Sequence, residues 1–186
     1  SPTMNLRHTS FLLALLSASH VHAQSLELFA MPLSTLQAKA DAGDADALLQ
    51  LSVRYNYGPG LPENQKKVKE LMVKAAKAGQ KTAIGICAMN GLECPKDPKK
   101  AFEIFKAQSD AGDLVALRNL GRCYEYGFGC QVDKAKAFEM YQKAAEAKDP
   151  ASLHFLAFAY SEGVGVEVDQ AKAMEIMEQE IGRAHV

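Results

Sequence analysis

Gly43, Gly79, Gly112 and Lys148 stand at successive separations of 36, 33 and 36 residues, and each opens a stretch that reads like the others. A period of this length constrains the fold more than any local propensity does. Each copy must be one small supersecondary unit that buries its apolar side against neighbouring copies. The unit from Gly112 to Lys148 carries the pattern most fully. Ala116, Leu117, Leu120 and Tyr124 recur at helical spacing, so they form one stripe on a helix. Asp113 precedes that stripe, where a short carboxylate accepts from the unpaired N–H groups of the first turn. Gly127 and Gly129 permit the backbone angles of a stop and reversal. Asp133 caps a second segment whose face is Ala137, Phe138, Tyr141, Ala144 and Ala145. The unit is a helix-turn-helix hairpin, too small to hold a core alone.

The copies keep register. Tyr124 recurs as Tyr55 and Tyr160, the turn glycines as Gly58-Pro59-Gly60 and Gly163-Val164-Gly165, and the second cap as Asn64 and Asp169. The second unit is three residues short near Gln80 to Thr82, then regains register at Gly85, with Cys87, Gly91, Cys94, Asp97 and Ala101 matching Cys123, Gly127, Cys130, Asp133 and Ala137. Pro98 and Pro150 follow their caps at the first helical position, where a missing N–H costs nothing. The series Ala116, Leu120-Gly121, Tyr124, Gly127-x-Gly129, Asp133, Lys136-Ala137 and Lys143-Ala144-Ala145 resembles the Sel-one-like repeat, a relative of the tetratricopeptide repeat, over roughly residues 36 to 179. The departures are the short second unit, Cys130 where the family usually has valine, and Lys148 in place of glycine. The resemblance implies an all-α fold, a right-handed α/α solenoid of stacked helix-turn-helix repeats.

The solenoid is expected over 24–179, as a leading half-repeat at 25–42 and repeats at about 43–78, 79–111, 112–147 and 148–179. Ser1 to Thr3 precede a methionine and read as upstream read-through or a cloning remnant. From Met4 to Ala23 the chain reads as a secretory signal. It has a basic start at Arg7 and His8, an apolar run from Phe11 to Leu16 too short to span a bilayer, and small residues around Ala23 for cleavage. Residues 180–186, Glu180 to Val186, resemble a translated sequencing adapter, with a frayed polar tail as the alternative reading. Export to the periplasm or beyond is therefore expected, with no membrane insertion after cleavage.

Cys87 and Cys94, and Cys123 and Cys130, each have six residues between them. Within each pair the first cysteine ends a helix and the second follows the turn, so the pair meets within its own hairpin. Oxidising surroundings favour two structural disulfides there. Closing so short a loop gives about 2.5 kcal/mol in the chain-entropy model. A four-cysteine zinc site usually needs closer pairs converging on one point; free thiols are the third reading.

Chemistry finds few candidates. His154 is the only histidine inside the repeats, so neither a catalytic triad nor a histidine metal cluster can be assembled. The glycine turns follow helices rather than strands and lack a phosphate-loop lysine. Asp97, Asp133 and Asp169 are caps by position. No catalytic residue, cofactor or metal is expected. The net charge is −1, with no basic run, so nothing draws the chain to nucleic acid. Function then rests on a surface. In successive leading helices one stripe varies while the buried stripe repeats: Leu49, Val53, Asn56; Arg118, Arg122, Glu125; His154, Phe158, Ser161. Each set is spaced i, i+4, i+7 and shares a face, and apolar members such as Leu49, Val53 and Phe158 also suit packing between units. In the resembling family the leading helices line the concave side. That implies a groove for a peptide or a partner's helix, and a non-enzymatic scaffold or adaptor, expected as a monomer. The resemblance also carries a second reading, a cysteine-rich β-lactam-binding or weakly hydrolytic protein.

Overall fold

A computed structural model describes residues 19–21, 23–57, 64–149 and 151–184. Most of the expected signal segment, the turn Gly58-Pro59-Gly60, Pro150 and residues 185–186 lie outside the described residues. Every regular element among the described residues is helical. A helical segment at 23–30 leads into α1 (Leu33–Asp41). Four hairpins follow: α2 (Ala45–Tyr57) with α3 (Gln65–Lys77), α4 (Lys81–Asn90) with α5 (Pro98–Asp110), α6 (Leu114–Tyr126) with α7 (Lys134–Glu146), and α8 (Ser152–Glu162) with α9 (Gln170–Ala184). Consecutive helices pack on one another in a row. The missing residues of the second unit shorten α4 to 10 residues, against 13 in α2 and α6. The backbone of α9 continues helically through to Ala184.

The termini of the helices follow from the punctuation residues. Asn64, Asp97, Asp133 and Asp169 each accept from the backbone N–H three residues on, as Asp44, Gln80 and Asp113 do ahead of the leading helices. Gly91, Gly127 and Gly163 end α4, α6 and α8 in the left-handed region. Lys148 adopts the same hand, with φ 61°, where the other unit starts have glycine. Its backbone makes the bonds its counterparts make, since Asp149 N–H reaches the Ala144 carbonyl as Asp113 N–H reaches Gln108. The αL strain of a lysine, about 1–2 kcal/mol, is therefore borne without changing the turn. Glu93 (φ 52°) does likewise where later units have Gly129 and Gly165.

Inside a hairpin, small residues face large ones. Gly85 on α4 faces Phe105 on α5, and Gly121 on α6 faces Tyr141 on α7; an added Cβ would lie 2.8 Å and 2.6 Å from those rings. Both rings are fully buried. Between hairpins the joints repeat as well. Phe102 meets Tyr124 and Phe138 meets Tyr160 edge to face, at 5.6 and 5.4 Å between centroids, the arrangement aromatic pairs prefer. Gly129 and Gly165 press onto the first turn of the preceding unit's second helix, close enough that a Cβ would come within 2.3 Å of the Pro98 carbonyl oxygen and 2.0 Å of that of Lys134. At the N-terminal end, Leu36 and Ala40 of α1 are buried in one core with Leu48, Leu51 and Leu71 of the first hairpin. Gln50 Nε2 also donates to Ser25 Oγ at 2.9 Å.

Candidate functional site

Where units meet, a polar bond recurs at equivalent positions. Thr82 Oγ1 donates to Asp113 Oδ2 at 2.6 Å. One unit later, Arg118 Nε lies 2.6 Å from Asp149 Oδ2. In both, a side chain on a leading helix engages the aspartate that opens the next unit. Arg118 and Asp149 are each only 3 % exposed. Burial raises the Asp149 carboxyl above its usual range more than the facing guanidinium lowers it. The Arg118 guanidinium lies 5.6 Å from the Tyr57 ring and 5.8 Å from the Phe155 ring. Its Nη2 is buried and has no hydrogen-bond partner among the described residues.

Around this arginine the leading helices and α3 form a groove of about 350 Å³, within the usual size of a ligand cleft. Its apolar share comes from Val53, Val68, Met72, Ile86, Leu92 and Val115. Its polar share comes from Ser52, Asn56, Gln65, Lys69, Asn90, Asn119 and Arg122, with Tyr57, Arg118 and Phe155 completing the lining. Tyr57, at the end of α2, reaches across two units: its ring lies 5.8 Å from Phe155 and 5.9 Å from His154. Phe155 in turn stacks on Tyr141 at 5.4 Å. Inside the groove, Arg122 Nη1 donates a long bond of 3.4 Å to Asn119 Oδ1, and Gln65 Nε2 donates to Asn56 Oδ1 at 3.1 Å.

The nine stripe residues named from the sequence separate into groups. Val53, Asn56, Arg118 and Arg122 line the groove together. Leu49 is buried and borders a different cavity, with Ser25 and Gln80. Glu125 is buried and accepts from Tyr141 Oη at 2.6 Å, which ties it to the seam of its own hairpin. Burial and that acceptor push the Tyr141 phenol well above its usual range. His154 is exposed beside Tyr57 and Phe155, whereas Phe158 and Ser161 lie farther along α8, outside the groove lining. The stripe did not include Tyr57, Lys69, Asn90, Asn119 or Phe155. Lys69 belongs to a second helix, Asn90 to the short α4 from which no stripe residue was named, and Tyr57, Asn119 and Phe155 adjoin stripe residues on their own leading helices.

Each cysteine pair falls within one hairpin. The Cys130 thiol donates to the Cys123 carbonyl at 3.3 Å. All four cysteines are thiols in this structure, with Cys87 and Cys123 buried, Cys130 half-buried and Cys94 exposed. Burial pushes Cys87 up to about 11 and Cys123 up to about 12, with the neighbouring cysteine adding to each. Among the described residues no group of three or more histidine, cysteine and acidic side chains stands close enough to hold a metal ion.

The model of the Sel1 repeat matches residues 45–80, 82–113, 114–149 and 150–179. The chain belongs to the Sel1 repeat family. Proteins of this family are typically protein-interaction scaffolds. Two of the solved structures that share the fold cover about four-fifths of this chain. One is c5321, a protective antigen present in uropathogenic Escherichia coli strains displaying an SLR fold, 31 % identical with a TM-score of 0.51, matched over 82 % of this chain and 33 % of that one. The other is a Sel1 repeat protein from Oxalobacter formigenes, 25 % identical with a TM-score of 0.52, matched over 81 % of this chain and 61 % of that one. The chain thus spans a third of the first relative's length and about three-fifths of the second's. No curated protein matches.

Proposed function

We propose that this Sel1 repeat chain is a non-enzymatic scaffold of the bacterial cell envelope that holds a peptide of a partner protein in the groove around Arg118. The observation that carries this reading is the groove itself. Four successive leading helices (α2, α4, α6 and α8) and α3 bring apolar and amide side chains to one cleft, the mixture that fixes a peptide by backbone hydrogen bonds and small side-chain pockets. An export signal at 4–23 and two disulfides, Cys87–Cys94 and Cys123–Cys130, belong to the same reading. The spacing supports the disulfides, and an oxidising compartment would keep such bonds formed.

Photo-crosslinkers placed at Asn90, in the groove, and at Glu103, exposed on α5, test the function in envelope extract. The partner identified by mass spectrometry is then purified and titrated against the chain. Asn90→Trp is expected to abolish that binding and Glu103→Gln to leave it unchanged. A partner captured equally at both positions, or one indifferent to Asn90→Trp, overturns the groove assignment. Peptide mapping without reductant reads the disulfides, and a cross-unit linkage or four unpaired thiols in exported material overturns them.

A further inference from the structure

The charge of the groove is one-sided. The whole chain carries 22 acidic and 21 basic residues, yet the groove is lined by Lys69, Arg118 and Arg122 and by no aspartate or glutamate among the described residues. Lys69 and Arg122 have no carboxylate partner among the described residues, whereas Lys77, Lys136, Lys143 and Lys172 do. Arg118 adds an independent observation. Its Nε is engaged with Asp149, but its Nη2 is buried and lacks a hydrogen-bond acceptor among the described residues. A buried guanidinium N–H without an acceptor is costly. The cations also stand beside apolar wall, namely Val53, Met72 and Ile86.

From this one-signed lining and the incompletely paired Arg118 we infer that the groove recognises a carboxylate on an extended peptide, seated against Arg122 and Arg118 with Lys69 at its side. The apolar wall takes a neighbouring side chain of the same peptide. Guanidinium groups bind carboxylates through paired, charge-assisted hydrogen bonds, and partial exclusion of water strengthens them. The carboxylate is supplied either by a peptide C-terminus or by an aspartate or glutamate side chain. This inference rests on the groove reading given under Proposed function.

Three pools of random hexapeptides, each passed over the immobilised full-length chain, test it. One pool has free C-termini and no acidic residues, the second is C-terminally amidated and contains aspartate and glutamate, and the third is amidated and free of both. Retention of the first or second pool at least about tenfold above the third is expected, and the retained pool names the source of the carboxylate. Arg122→Gln, a half-buried position outside the ion pair, should cut that retention about tenfold, equivalent to about 1.4 kcal/mol, with an unchanged melting curve; Lys69→Gln should act in the same direction. Equal retention of all pools, no retention of any, or indifference to Arg122→Gln overturns the inference. Equal retention abolished by Asn90→Trp leaves the groove reading standing and removes only the carboxylate. Retention untouched by Asn90→Trp removes the groove as well.

Discussion

Replacing Gly129 with alanine tests how closely the hairpins are stacked. Gly127 and Gly129 both sit at positive φ, 74° and 73°, so alanine at either bears the same left-handed strain, about 1–2 kcal/mol. Their surroundings differ. A Cβ on Gly127 first meets Val132 Cγ2 at 3.0 Å, the end of an exposed side chain that can turn aside. A Cβ on Gly129 meets the Pro98 carbonyl oxygen at 2.3 Å and Lys99 Cα at 2.8 Å, backbone atoms of the preceding hairpin. Relieving that overlap requires the two hairpins to part by roughly 1 Å, enough to forfeit a quarter to a half of each dispersion contact across the joint. Overpacking of this kind costs about 1–3 kcal/mol. Gly127→Ala should therefore lower stability by about 1–2 kcal/mol and Gly129→Ala by about 2–5 kcal/mol. Urea unfolding with the slope checked for constancy measures both, and hydrogen exchange should place the added loss of Gly129→Ala at the start of α5. Gly163 and Gly165 offer the same comparison one joint later. Two alanine variants that agree to within about 0.5 kcal/mol would refute the close stacking, since that is the scatter expected of independent sites.

Four further outcomes follow from the geometry. Gly121→Ala drives a Cβ to 2.6 Å from the Tyr141 ring and should destabilise by about 1–3 kcal/mol; combined with Tyr141→Leu it should cost less than the sum of the two, read by a double-mutant cycle in urea. Asp149→Asn leaves the Arg118 guanidinium buried without its counter-ion and should cost about 3–5 kcal/mol, whereas pairing Arg118→Met with Asp149→Leu should recover most of that in the same unfolding assay. In the reduced protein, iodoacetamide should label exposed Cys94 well before Cys87 and Cys123, as mass spectrometry of timed samples would show. The folded state holds the Cys87 and Cys123 protons to about 11 and about 12, while the unfolded chain releases them near 9. Stability of the reduced protein should accordingly fall as pH rises from about 9 towards 11, by up to about 1.4 kcal/mol per unit for each thiol.

The hairpins were legible because their punctuation is local. Asp113, Gly127 and Asp133 act within a few residues of themselves, and repetition multiplied the signal. Contacts between units were harder to read. Asp149 pairs with Arg118, 31 positions earlier; its place at the start of a unit reads as a cap, but α8 begins at Ser152 after Ala151 with no side-chain cap, and the carboxylate goes to the arginine instead. The hint lay in register: Thr82 and Arg118 are polar at the same place in successive units, where Leu49 is apolar. Glu125 shares a helix stripe with Arg118 and Arg122, and spacing alone cannot separate the lip of a groove from the seam with Tyr141 on α7. Tyr57 was beyond reach altogether. Its approach to Phe155 depends on how far the row bends, a sum of small rotations at each joint that no single unit encodes.

That approach changes what kind of object the chain is. A row whose members touch only the next in line can shed its last member while the first stays whole. With an aromatic ring of α2 resting on α8, strain in the first of the four hairpins registers in the fourth, and the hairpins between them behave like an arch closed by a keystone. Whatever wedges under Tyr57 would then be felt from α2 to α8.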